Sequence, residues 1–97
     1  MNDRVSKDLV QRYLGLTAAA RAKATPIVDV NELQSHQLDD LLRMCDDYAS
    51  DAQHFMDQGD LVRAYGAINY AHAWLDAAVR LGLLDSHGDD QLFTLPP

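Results

Sequence analysis

Apolar residues recur along this chain at the three- and four-residue spacing of α-helices, and they fall into three stretches. In the first, residues 3–24, the stripe is Val5, Leu9, Tyr13, Leu16 and Ala20. Gly15 inside it costs up to about 1 kcal/mol of helix stability against Ala. Pro26 stops the helix, because proline turns the preceding residue away from helical geometry. Ile27, Val28, Asp29 and Val30 are too few to found a sheet. They read as an extended connector that lays two or three apolar side chains on the helices.

The second helix is expected from Asn31 to about Gln58, with Asn31 and Gln34 fitting a capping box. Its stripe is Leu38, Leu41, Leu42, Cys45, Tyr48, Ala49, Ala52, Phe55 and Met56. Gly59 suits the left-handed position past its end, and Asp60 follows at once as the next N-cap. So short a connection folds the third helix back antiparallel on the second. The third helix is expected from Leu61 to about Leu81, with Gly82 as its stop and Leu83-Leu84 folding back on its last turn. Beside its main stripe (Leu61, Ala64, Tyr65, Ile68, Ala71, Leu75, Ala78, Val79) runs a second: Ala67, Tyr70, Trp74 and Leu81. Together they cover about half the circumference, the width of a helix with two neighbours.

Strand signals are nearly absent, so the fold class is all-α. The expected architecture is an antiparallel three-helix bundle over residues 1–84, built on a long hairpin of helices two and three. An irregular C-terminal tail follows, residues 85–97. Its polar start, residues 85–90, reads as mobile. Its apolar end is costly to leave in water, so Leu92 and Phe93 are expected to pack on the bundle, over Tyr70, Trp74 and Leu81, or on a second copy.

Composition narrows the classes. Ninety-seven residues make one domain, and 47% hydrophobic content is that of a globular chain. No apolar run is long enough to span a membrane, and the polar residues 2–7 begin no secretory signal. A single cysteine, Cys45, excludes an internal disulfide framework and fits a reducing, cytoplasmic setting. The net charge is −7, from fourteen Asp and one Glu against six Arg and two Lys. Nucleic-acid binding needs clustered bases, so direct contact with it is not expected. Asp in place of Glu and Arg in place of Lys resembles the cytosol of salt-in halophiles. No P-loop or other phosphate loop is present, and no cofactor is implied.

The stretch from Asp51 to Gly82 carries a dense pattern. It holds Asp51-Ala52, Phe55, Gly59-Asp60, Arg63-Ala64-Tyr65-Gly66-Ala67, Tyr70-Ala71 and Trp74-Leu75-Asp76-Ala77. This pattern resembles an archaeal domain-of-unknown-function family, number 357. Tyr65 stands where that family has Phe, and the resemblance is looser before Leu38 and after Leu84. It implies a helical bundle and an archaeal source, and no activity. A more distant likeness is to HEPN helical domains, whose nuclease members use an Arg with a His five residues on. Here that position holds Ile68 after Arg63 and Asp85 after Arg80, so the likeness does not carry RNase chemistry.

Candidate chemistry is sparse. Asp47, Asp51 and His54 share one face of the second helix, with His36 and Asp40 further up, and such spacing can hold a divalent metal. No ligand from a second helix converges on them, so they read first as a solvated acidic face. His72 lies beside the apolar stripe and needs partners for both ring nitrogens: Tyr48, Tyr65 or a backbone carbonyl. Asp76 and Arg80 have the favourable acid-first i,i+4 order, and Arg63 can reach Asp57 or Asp60. Arg63, Asn69, Tyr70, His72, Trp74, Asp76 and Arg80 are therefore the candidate interaction or structural-network residues. Cys45 sits mid-stripe as inert packing, and no nucleophile constellation appears.

The function these features imply first is a non-enzymatic interaction module or adaptor, with a protein partner or a second copy and no membrane. The alternative is an HEPN-like helper or degenerate nuclease-type domain near RNA or a nucleotidyltransferase. A metal-assisted hydrolase using Asp47, Asp51 and His54 is the weakest reading.

Overall fold

A computed structural model describes residues 2–96. It contains helix α1 (Lys7–Lys23), strand β1 (Thr25–Pro26), helices α2 (Glu32–Asp57) and α3 (Leu61–Arg80), and strand β2 (Leu84–Asp85). The fold is an all-α bundle, and α2 and α3 share its most extensive packing. It measures 43 × 24 × 19 Å.

The hairpin follows from its caps. Asn31 and Gln34 form the full capping box, each side chain accepting the other's backbone N–H. Both hairpin helices end in a Schellman motif on a left-handed glycine, Gly59 (φ 79) and Gly82 (φ 75). Gly59 N–H donates to Met56 and Asp60 N–H to Phe55; Gly82 N–H donates to Val79 and Leu83 N–H to Ala78. Asp60 then caps α3 by accepting from the Arg63 amide at 3.2 Å.

Buried residues recur every seven positions on both helices: Leu38, Cys45 and Ala52 on α2, and Ala64, Ala71 and Ala78 on α3. A seven-residue repeat keeps one seam facing the partner helix along its length. The small side chains let the backbones close, and Ile68 and Leu75 fill the layers between them.

α1 differs from expectation in start and phase. It begins at Lys7, where the Ser6 hydroxyl accepts the Leu9 amide at 3.1 Å, so Val5 lies outside it. The buried face is Val10, Thr17 and Ala20, with Tyr13 and Leu14 packed beside it; Leu9 and Leu16 are only half-buried flanks. The connector is also corrected. The strand pairing falls on residues 25–26, Thr25 opposite Asp85 and Pro26 opposite Leu84. Val30 packs on the core, whereas Val28 is 91% exposed.

The stretch 85–90 is held, not loose. Lys23 Nζ meets Asp89 Oδ2 at 2.7 Å, and Thr25 Oγ1 meets His87 Nε2 at 2.9 Å. Asp89 Oδ1 accepts the amides of Gln91 and Leu92, both at 3.0 Å. Phe93 beyond it is 4% exposed and belongs to the core cluster. Among the described residues no helix is long and apolar enough to cross a membrane.

Candidate interaction site

His72 is the residue around which the tail docks. Its Nε2 lies 2.7 Å from the Leu92 carbonyl oxygen, and its Nδ1 lies 2.9 Å from Thr17 Oγ1. A carbonyl only accepts, so Nε2 carries the proton; in the neutral ring Nδ1 accepts from the Thr17 hydroxyl. Of the partners expected for His72, the backbone carbonyl is found, and Tyr48 and Tyr65 are not. Thr17 supplies the other contact from the buried face of α1. The Phe93 ring packs 6.4 Å from the imidazole, centre to centre.

Asp76 lies one turn further on. Its Oδ1 accepts the Thr94 amide at 2.8 Å. Among the described residues the expected Asp76–Arg80 pair is not formed. An exposed i,i+4 pair is worth only tenths of a kcal/mol, and a docked backbone amide outcompetes it. Asn69 donates to the Tyr65 carbonyl at 2.9 Å, a local bond within α3. Beside the docked tail lies an open cleft of about 320 Å³, walled by Tyr13, Leu16, Asn69 and Ala73.

The tail lies on the His72 flank of α3, so the expected cover over Tyr70, Trp74 and Leu81 is corrected. Those residues face the opposite flank. Tyr70 stacks edge-on against Tyr48 of α2 (centroids 4.5 Å) and against Trp74 (5.7 Å), yet stays 46% exposed. Trp74 packs on the core, and its buried Nε1 lacks a hydrogen-bond partner. Leu81 is 66% exposed, and Val62 at the other end of α3 is 73% exposed.

On a helical wheel Val62, Gly66, Tyr70, Ala73, Ala77 and Leu81 fall within about 100° of arc. This outward ridge carries no acid, and α3 has only Asp76, whereas α2 has seven acidic residues. Arginines stand at both ends of the ridge. Arg63 reaches Asp60 at 3.5 Å and lies over the Phe55 ring at 5.9 Å; Arg80 is exposed at the other end. The ridge was only partly legible in sequence, because Val62 belongs to neither stripe.

Asp47, Asp51 and His54 are exposed on α2. Among the described residues no group of three or more His, Cys, Asp or Glu side chains is placed to hold a metal ion. Cys45 is buried, and burial, with Asp46 adding to it and Arg21 opposing, pushes its thiol up to about 11. That suppresses the reactive thiolate. Arg21 itself binds Asp46 at 2.9 and 3.2 Å, which raises its own pKa further.

The sequence pattern of a family described as "Protein of unknown function (DUF357)" matches residues 12–84, well over half of the chain. No curated protein and no solved structure matches it.

Proposed function

We propose that this chain, which belongs to the DUF357 family of proteins of unknown function, is a non-enzymatic interaction module that docks another protein on the outward ridge of α3. The observation that carries this reading is the ridge itself. Val62, Tyr70 and Leu81 keep apolar surface in water on a protein of net charge −7, on a face without a single acid. Apolar surface in such an arrangement marks contact sites.

Charge selects the partner class. Arg63 and Arg80 at the two ends favour an acidic surface with apolar residues between its charges, such as an amphipathic helix. A second copy is a poorer occupant: laid antiparallel on the same ridge, it sets Arg63 against Arg80, and two chains of charge −7 repel. The same charge disfavours nucleic acid. On this reading the module works in an archaeal cytoplasm at high salt, where short screening lengths quiet its acidic surface.

The test is quantitative capture from the native host's extract at its own salt. The full-length chain is compared with a Val62→Asp, Leu81→Asp double variant and with an Asp39→Ser, Asp47→Ser control. Both pairs are exposed, so circular dichroism should be unchanged. The ridge variant should lose a discrete bound protein by about tenfold or more, and the control should keep it. Equal retention by all three overturns the reading. Retention of RNA instead overturns it in favour of an HEPN-like helper, and a dimer broken by the ridge variant overturns its heteromeric form.

A further inference from the structure

We draw no further inference here: the strongest candidate, the open cleft of about 320 Å³ between α1, α3 and the turn at residues 89–93, has its His72 and Asp76 taken up by the chain's own Leu92 carbonyl and Thr94 amide, and its other carboxylate, Asp90, has no second feature beside it that points to a ligand.

Discussion

Replacing Thr17 by Val isolates the hydrogen bond that orients His72. The two side chains are nearly isosteric, and Thr17 is 3% exposed, so packing on α1 is conserved while the hydroxyl is lost. The 2.9 Å bond to His72 Nδ1 then disappears and leaves a half-buried ring nitrogen without a partner. An unsatisfied group of this kind costs about 1–2 kcal/mol. For a domain of this size that is roughly 5–15 °C in melting temperature. The freed ring also holds the Leu92 carbonyl less well, so the Thr94 amide, bonded to Asp76, should exchange faster with deuterium. Urea unfolding gives the first quantity and amide exchange the second. Thr17→Ser keeps the donor and should lose less than Val. If Thr17→Val changes stability by under about 0.3 kcal/mol and leaves Thr94 exchange unaltered, the Thr17–His72–Leu92 chain does not hold the tail.

Leu75 is fully buried, so Leu75→Ala should cost about 2–5 kcal/mol in urea unfolding, whereas exposed His54→Ala should cost under about 0.5 kcal/mol. Burial holds the Cys45 thiol up at about 11 against 9.0 when free, so the folded state favours the neutral thiol. Its stabilising share is intact below pH 9 and is lost as pH rises through about 11. Wild type should therefore lose about 2–3 kcal/mol more than Cys45→Ala over that window, measured with reductant present. Melting temperature should rise from about 0.1 M to about 2 M KCl as the Debye length shrinks; a flat or falling profile contradicts the high-salt setting.

The hairpin was legible because its signals are local. Asn31, Gln34, Gly59, Asp60 and Gly82 each act within a few residues of their own position, and the apolar spacing between them is regular. The phase of α1 was not, because Thr17 puts a polar residue on the core face. Its justification is His72, fifty-five positions away, and no window along the chain contains both. The same distance problem hid the tail's seat. The need of His72 for a backbone carbonyl was readable, but which carbonyl was set by tertiary packing twenty residues on. Asp76 misled in the opposite sense: the local rule pointed to Arg80, and a docked amide took its place. The strand pairing at Thr25–Pro26 was unreadable at two residues' length.

The reading of α3 as a docking surface is tested most directly by photo-crosslinking from the full-length chain in native host extract at its own salt. A benzophenone side chain is placed in turn at Val62, Leu81, Asp39 and Asp47, all of them exposed. The account predicts that Val62 and Leu81 crosslink to the same discrete protein and that Asp39 and Asp47 do not. Equal yields from all four positions, or yield only from the α2 positions, would contradict it.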